Sequence, residues 1–334
     1  MRINRQTLLT LASDTVAQRT RKERNLLSAY LTGSLLGEDY LLGGTADIDL
    51  VFIHLDESPV EREIVYVTDD VHLYIAHYSQ KVFATPRRLR LDPWLGHAIF
   101  SARLLHDSQH FMDFTQASVR GQFDRPEIVL VRARPLLEHA RQLWVALAAR
   151  QSAQPEPLEL AQYLYAVGHA ANTIAVLSGP PLTERRFLLN FPGRAAAAGQ
   201  PGLSAGLLGM LGAPHVSAED MLAWLAGWEA AFDAVPHEQR PSRLDVSRRK
   251  YYRQAFQAIL VGEHPHAALW PLLRTWTLAV SFLPDDHPAM AGWRGACLQL
   301  GLADQGLIER IAALDVYLDT VDETLDAWAK ENGV

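Results

Sequence analysis

A glycine, a serine and two aspartates near the N-terminus form a pattern that suits phosphate and metal chemistry. Gly33 and Ser34 follow an apolar run, and Asp47 and Asp49 stand two residues apart at the start of another. Side chains at positions i and i+2 of a strand project to the same face of a sheet. Two like charges in an apolar setting repel each other and lose hydration. The pattern therefore predicts a cation beside the aspartates.

The chemistry of these residues suits a metal ion that carries a nucleotide. Carboxylate oxygens are preferred ligands of Mg2+ and Mn2+, and Mg2+ commonly completes its shell with waters and phosphate oxygens. The Gly33-Ser34 turn offers backbone N–H groups and a hydroxyl, and its glycine lets the backbone approach a phosphate without a Cβ in the way. The motif therefore indicates a nucleoside triphosphate bound together with its metal ion.

The segments that must position these residues have the pattern of one helix followed by four strands. Apolar residues at helical spacing predict a helix over residues 4–20. Apolar and β-branched runs predict strands over residues 26–32, 47–54, 63–67 and 71–79. The order is therefore α-β-β-β-β.

From about residue 93 the pattern becomes helical. Apolar residues recur every three or four positions, with strong helix formers between them, in stretches such as "PWLGHAIFSARLLHD" and "PLELAQYLYAVGHAANTIAVLSG". A chain of 334 residues exceeds the commonest size of a single domain. We expect an α+β domain over residues 1–125, with a mixed β-sheet and flanking helices, and an all-α helical bundle over residues 126–334.

The motif resembles the signature of the nucleotidyltransferase superfamily that includes DNA polymerase β. The run "LTGS" at residues 31–34 is followed, after twelve residues, by "DID" at residues 47–49. The helical C-terminal part is similar in layout to small-molecule nucleotidyltransferases of the aminoglycoside-modifying kind. The resemblance implies Mg-dependent transfer of a nucleoside monophosphate, AMP from ATP, to a hydroxyl of a small-molecule acceptor. It assigns the two aspartates to metal binding and catalysis and the Gly-Ser turn to the triphosphate.

The sequence departs from this family at a third carboxylate, which members that transfer nucleotides usually carry on a neighbouring strand. The matching strand here, "VHLYIAHYS", has no acid. His72 is the candidate replacement as general base, because imidazole titrates near neutral pH; a strand residue with no role is the alternative. Asp69 and Asp70 take this place only if the strand register shifts by two or more residues. A catalytically impaired nucleotide-binding regulator or antitoxin-like protein is therefore the second interpretation.

Three basic residues follow the last predicted strand closely. Lys81, Arg87 and Arg88 have the charge needed to bind the phosphates of the nucleotide and to neutralise charge that develops on a transferring phosphate. The alternative is a solvated basic turn.

Two further sets of polar residues lie in the helical part. Tyr165, His169 and Asn172 share one stripe of a predicted helix and are candidates to line an acceptor pocket, the alternative being packed core residues. The run "RRKYYRQAF" at residues 248–256 combines basic residues with two tyrosines. It suits phosphate binding or stacking, and equally a surface helix with its basic residues outward.

Composition argues against some classes of binding partner and some cellular compartments. A formal net charge of -7 argues against nucleic acid as the main partner. The single cysteine, Cys297, forms no intramolecular disulfide and suits the cytoplasm, where we expect it as a small core residue near Trp293. No stretch reaches about 18 consecutive apolar residues, so neither a membrane span nor secretion is expected. The expected partners are a nucleotide and a small-molecule acceptor, and a homo-oligomer is compatible with the sequence.

Overall fold

The computed structural model describes residues 3–58, 60–149 and 156–334. The chain divides into two compact units, Met1–Ile128 and Val129–Val334. The first unit contains a mixed sheet with flanking helices, and the second is helical. The fold class expected from the sequence, α+β followed by all-α, is confirmed.

Among its described residues, the first unit contains a five-stranded sheet and four α-helices that lie entirely within it. Its elements are α1 (Arg5–Lys22), β1 (Leu26–Thr32), β2 (Ala46–His54), β3 (Arg62–Thr68), β4 (Val71–Ser79), α2 (Pro86–Leu89), α3 (Leu95–Ser101), β5 (Arg103–Asp107) and α4 (Phe111–Arg120). The predicted helix and the four predicted strands match α1 and β1 to β4.

The strands are arranged in the order β3-β4-β2-β1-β5. The central strands β2 and β4 run parallel, and all other neighbours run antiparallel. In the β2–β4 register, Asp47 lies opposite His72 and Asp49 lies opposite Tyr74. On its other side β2 pairs with β1, where Asp49 lies opposite Thr32. The two aspartates therefore lie at the N-terminal end of the central parallel pair.

Helix α1 covers one face of the sheet. Asn4 caps its N-terminus by accepting a hydrogen bond from the Thr7 N–H. Leu8, Ala12 and Val16, four residues apart, are buried against the apolar face that the even positions of β2 form. Three basic residues occupy the last turn, where cations favour the helix dipole. The sequence alone carries all of these signals.

The opposite face of the sheet is acidic at the N-terminal end of β2 and apolar at its C-terminal end. Val51 and Ile53 belong to a core cluster that also contains Ile99 of α3 and Met112 of α4. The aspartates share this face but precede those residues, and neither belongs to either core cluster of this unit. The helices therefore cover the C-terminal half of this face, and the acidic positions lie at the other end.

Strand β5 corrects the sequence analysis, which placed "RLLHD" within a helical segment. Residues 103–107 instead pair antiparallel with β1. The Ser28 hydroxyl also donates to the His106 carbonyl oxygen at 2.8 Å. Without β5, the edge of β1 would present unpaired backbone groups, which are costly when buried. This pairing joins residues about 78 positions apart. So short a run has no periodicity from which a strand could be predicted.

The second unit is built from helices around buried tryptophans. It begins within α5 (Pro126–Ala148) and continues with α6 (Pro157–Ala175), α7 (Phe187–Ala197), α8 (Gly202–Met210), α9 (Ala218–Ala234), α10 (Arg248–Leu260), α11 (Leu269–Val280), α12 (Ala289–Leu300) and α13 (Asp304–Glu331). Trp228 and Trp293 donate their indole N–H groups to Thr275 and Thr277 at 2.9 and 3.1 Å. These bonds satisfy polar atoms inside the core.

Cys297 is a buried residue of α12, as expected for a small core residue. Among the helices of the described residues, none has both the length and the apolar character that crossing a bilayer requires.

Candidate functional site

The turn after β1 and the second aspartate of β2 lie directly against each other. Gly33 follows Thr32, the residue that pairs with Asp49, and has φ 78° and ψ -162°, a conformation open essentially to glycine alone. A Cβ built on Gly33 would lie 2.0 Å from Asp49 Oδ2 and 2.8 Å from its Cγ. The Asp49 carboxylate therefore occupies the space that any other side chain at position 33 would need.

The turn itself is short and well anchored. Ser34–Leu36 forms one turn of 3-10 helix, and Leu35 is buried beneath it. Arg5 of α1 donates from Nε and Nη2 to the carbonyl oxygens of Leu35 and Leu36 at 3.2 and 2.8 Å. Gly33 is exposed at the entrance to this turn. The fold therefore fixes the backbone on one side and leaves Gly33 accessible on the other.

Asp47 and His72 form the inner part of the same face. They are opposite each other in the parallel register, and both are buried, with 7% and 1% of their surface exposed. The ring of Tyr66 on β3 packs edge-on against the His72 ring, with centroids 5.7 Å apart. Asp49 is less buried than Asp47. The face therefore runs from a buried Asp-His pair to a more accessible carboxylate beside Gly33.

The register also decides where a third carboxylate can be. The residue of β4 opposite Asp49 is Tyr74, with the Arg62 guanidinium 5.5 Å from its ring centroid. The Ala46 N–H donates to the Asp70 carbonyl oxygen at 2.9 Å, and Asp69 accepts a hydrogen bond from a tyrosine hydroxyl. Asp69 and Asp70 both lie in the turn before β4. The register of β4 against β2 is not shifted by two residues, so neither acid lies opposite Asp47 or Asp49. Within the described residues, no group of three His, Cys, Asp or Glu side chains is arranged to hold a metal ion.

The structure does not bring Lys81 to the aspartates. Strand β4 runs from its His72 end to Ser79 at about 3.3 Å per residue, so these ends are about 23 Å apart. Lys81 follows Ser79 and forms an exposed ion pair with Glu57 at 3.3 Å between Nζ and Oε1. The phosphate-binding role expected for Lys81 is therefore corrected, because parallel pairing places it at the opposite end of β2 and β4.

The two arginines that follow are surface residues. Arg87 and Arg88 are exposed on α2, and the neighbouring Leu89 packs into the core cluster that contains Val51 and Ile53. Helix α2 is thus anchored beneath the C-terminal half of β2, in the part of the sheet away from the aspartates. This placement favours a solvated basic turn over a phosphate clamp.

Sequence reasoning missed a polar network on the face of the sheet that α1 covers. His54 Nε2 and His77 Nδ1 are 2.9 Å apart, and His77 Nε2 lies 3.3 Å from Glu63 Oε2. Arg19 of α1 also forms an ion pair with Glu63. Burial lowers the pKa of both histidines, and the mutual proximity of the rings lowers that of His54 further. The available signal was the position of both histidines on the core-facing side of apolar strands.

The stripe Tyr165-His169-Asn172 of α6 separates into different roles. Asn172 is buried and ties down the backbone of Leu182, accepting from its N–H at 2.6 Å and donating to its carbonyl oxygen at 3.2 Å. Asn172 is therefore a packed structural residue. Burial, together with His139 and Arg274, lowers the pKa of His169 to about 4. Tyr165 is 46% exposed and lies beneath the Arg274 guanidinium.

Among the solved structures that match this chain is a nucleotidyltransferase-like protein from Exiguobacterium sibiricum. The two superpose with a TM-score of 0.32 and 10% sequence identity, over 87% of this chain and 89% of that one. At these values the likeness establishes neither a shared family nor a function. No protein-family model matches the sequence, and the comparison with curated proteins finds no match.

Proposed function

We propose that this protein is a Mg-dependent nucleotidyltransferase that transfers a nucleoside monophosphate, AMP from ATP, to a hydroxyl of a small-molecule acceptor, with pyrophosphate as the leaving group. The observation that carries the proposal is the Asp49 carboxylate in the space left by the missing Cβ of Gly33. Asp47 shares the strand and the face of Asp49. The exposed turn suits a phosphate, and the carboxylates beside it suit the cation that accompanies a phosphate.

The donor set fits Mg2+. This ion is usually held by one or two protein carboxylates, with waters and substrate phosphates in its other positions. Asp47 and Asp49 provide two such carboxylates, and a site of this kind needs no third protein ligand. Held by Asp47 and Asp49, the ion would supply positive charge to the transferring phosphate.

The chain's own residues supply positioning and a proton acceptor. Gly33 and Ser34 would bind the triphosphate through their backbone N–H groups and the Ser34 hydroxyl. His72, which lies opposite Asp47 on β4, would accept the proton of the acceptor hydroxyl. The pH dependence of turnover tests this role: His72→Gln removes the acidic limb of the rate profile if His72 is the base, and leaves the profile unchanged if it is not.

One observation supports a second function, a nucleotide-binding regulator without transferase activity. Tyr74 occupies the position of β4 opposite Asp49, where a third acid would be placed to activate the acceptor. A site with two carboxylates still holds a metal-bound nucleotide. The regulator and the enzyme therefore share the binding step and differ in turnover.

Transfer of label from ATP tests the enzyme. The protein is incubated with α-phosphate-labelled ATP, Mg2+ and a panel of hydroxylated acceptors. We expect transfer by the wild type and a loss of about a hundredfold or more in Asp47→Asn and Asp49→Asn, as for other groups that stabilise transferring charge. Asp56→Asn is the matched control, because Asp56 is an exposed residue just beyond the other end of β2.

Two outcomes reject the enzyme: no transfer to any acceptor, or equal transfer by Asp49→Asn and Asp56→Asn. Calorimetry with Mg-ATP then separates the remaining cases. Binding that is lost in Asp49→Asn, without transfer, supports the regulator. Absence of binding by the wild type rejects both functions.

A further inference from the structure

Three neighbouring strands place Asp47, His72 and Tyr66 in one row across the sheet. Asp47 lies opposite His72 in the β2–β4 register, and Tyr66 lies opposite His72 in the β3–β4 register. Neighbouring strands are about 4.8 Å apart, so the row is about 10 Å long. Strand β3 ends the sheet order on this side. The row therefore runs from the metal-binding face to a tyrosine on an edge strand.

The Tyr66 side chain is held in place and is nevertheless exposed. Its ring packs edge-on against His72, and its hydroxyl donates to Asp69 Oδ1 at 2.7 Å. With both contacts made, 58% of the residue is exposed. A side chain that is already ordered loses little conformational entropy when a ligand packs on it. Tyr66 is therefore well prepared to contact the ring of a ligand.

A second tyrosine lies beside this row. Tyr74 of β4 is opposite Asp49, and Ile64 of β3 is opposite Tyr74. Because side chains two residues apart on a strand share a face, Ile64, Tyr66 and Tyr74 lie on the same face of the sheet as the aspartates. Tyr74 and Ile64 are both partly exposed. We call Ile64, Tyr66 and Tyr74 the β3–β4 surface.

The geometry of in-line transfer indicates which reactant lies over this surface, and this step rests on the proposed function. Gly33, whose turn would bind the pyrophosphate that leaves, follows β1 on one side of β2, and β4 lies on the other side. The acceptor oxygen bonds to the α-phosphorus as the bond to pyrophosphate breaks. These two oxygens lie on opposite sides of the phosphorus. The acceptor hydroxyl therefore enters from the β4 side, where His72 would take its proton.

We propose that the β3–β4 surface binds the acceptor and that the acceptor is a hydroxylated compound with a planar ring. Aromatic side chains bind planar rings by offset stacking or edge-to-face contact. The base of ATP is another planar ring and presents the same chemistry to the surface. The direction of attack favours the acceptor, because its hydroxyl enters over β4 and the rest of the molecule then extends toward β3.

Fluorescence anisotropy of naphthylethanol with the full chain tests the binding step. This probe has a hydroxyl and a planar fluorescent ring, and decalylethanol, with the same hydroxyl on a saturated ring, competes with it. EDTA is present and ATP is absent, so the result does not depend on the proposed transfer. The saturated ring is at least as apolar, so tighter binding of naphthylethanol reports stacking. We expect a preference of about fivefold or more for the planar ring.

Substitutions of the exposed Tyr66 assign this preference to its ring. Tyr66→Leu keeps an apolar side chain that cannot stack, so we expect the preference to disappear. Tyr66→Phe keeps the ring and loses only the hydrogen bond to Asp69, so we expect the preference to remain. Phe114→Leu is the matched control, because Phe114 is 73% exposed on α4 of the same unit. It should bind both compounds as the wild type does.

Four results would overturn the proposal. The wild type does not bind naphthylethanol, or it binds the two compounds equally. Tyr66→Leu has the same preference as Phe114→Leu, or Tyr66→Phe loses the preference as Tyr66→Leu does.

Steady-state transfer separates the acceptor from the nucleobase. With α-phosphate-labelled ATP, Mg2+ and naphthylethanol as acceptor, we expect Tyr66→Leu to raise the KM for naphthylethanol about fivefold or more and to leave the KM for ATP unchanged. A rise in the KM for ATP alone overturns the proposal and assigns the surface to the nucleobase. If no acceptor is labelled while the binding preference holds, the transfer reaction is rejected and the ring-binding surface is supported.

Discussion

Substitution of Gly33 by alanine tests the geometry of the candidate site directly. Gly33 has positive φ and extended ψ, which costs a residue with a Cβ about 1–3 kcal/mol. The new Cβ would also lie 2.0 Å from Asp49 Oδ2. That oxygen ends a flexible side chain, so the carboxylate turns away at a cost of about 0.5–1.5 kcal/mol in rotamer strain. The substitution therefore lowers the free energy of unfolding by about 1.5–4.5 kcal/mol but leaves the protein folded. The Asp49 carboxylate moves away from position 33.

Gly33→Ala is also expected to weaken nucleotide binding by the protein that remains folded. We expect the affinity for Mg-ATP to fall at least about tenfold, which corresponds to 1.4 kcal/mol. Calorimetry measures the affinity, and hydrogen exchange of β1 and β2 measures the local free energy of opening. Gly44→Ala is the matched control, because Gly44 has φ +76° and nothing within 4 Å of a built Cβ. It should lose stability through its backbone alone and keep its affinity for Mg-ATP.

A double-mutant cycle isolates the contact between position 33 and Asp49. In an Asp49→Ala background, the clash with Oδ2 and Cγ is gone, so Gly33→Ala should cause little further loss of Mg-ATP binding. The reasoning is refuted if Gly33→Ala binds Mg-ATP within about twofold of the wild type, or if its loss is undiminished in the Asp49→Ala background.

Three further outcomes follow from the structure. The pKa values of His54 and His77 are lowered from the ordinary value of about 6.5, so below that pH the unfolded chain binds more protons than the folded one. The free energy of unfolding should therefore fall as the pH drops through about 6.5. In urea titrations at several pH values, His54→Gln should make this pH dependence weaker. Asn172→Ala should cost about 1–3 kcal/mol of unfolding free energy, since it leaves the buried backbone of Leu182 without partners. Burial raises the pKa of Cys297, so a thiol reagent should modify it only after unfolding, and rapid labelling of native protein would contradict this.

The elements of the first unit could be predicted because their signals are local. Helix α1 has its cap, its buried stripe and its basic last turn within one short segment. The strands β1 to β4 are marked by apolar and β-branched runs between turns. Strand β5 has no comparable signal, because its pairing with the distant β1 determines its structure. Local periodicity cannot report a partner that lies about 78 residues away.

The candidate site was predicted in part for the same reason. The face shared by Asp47 and Asp49 follows from strand periodicity alone, and the residue types of β4 show that it has no acid. The expected role of Lys81 depended on the position of the residues that follow β4. Because β4 runs parallel to β2, these residues lie at the end of β2 opposite the aspartates. The helical spacing of Asn172 is typical of a residue that lines a pocket. Its hydrogen bond with the backbone of Leu182 is visible only in the tertiary structure.

The sequence by itself determined the order of α1 and β1 to β4, the change from α+β to all-helical structure, and the presence of residue types suited to phosphate and metal. Only the tertiary structure decided that Asp49 fills the space beside Gly33 and that His72 stands opposite Asp47. The physical reason is range. Side-chain periodicity is a property of a few consecutive residues, whereas contacts between carboxylates, turns and guanidinium groups depend on how distant segments pack.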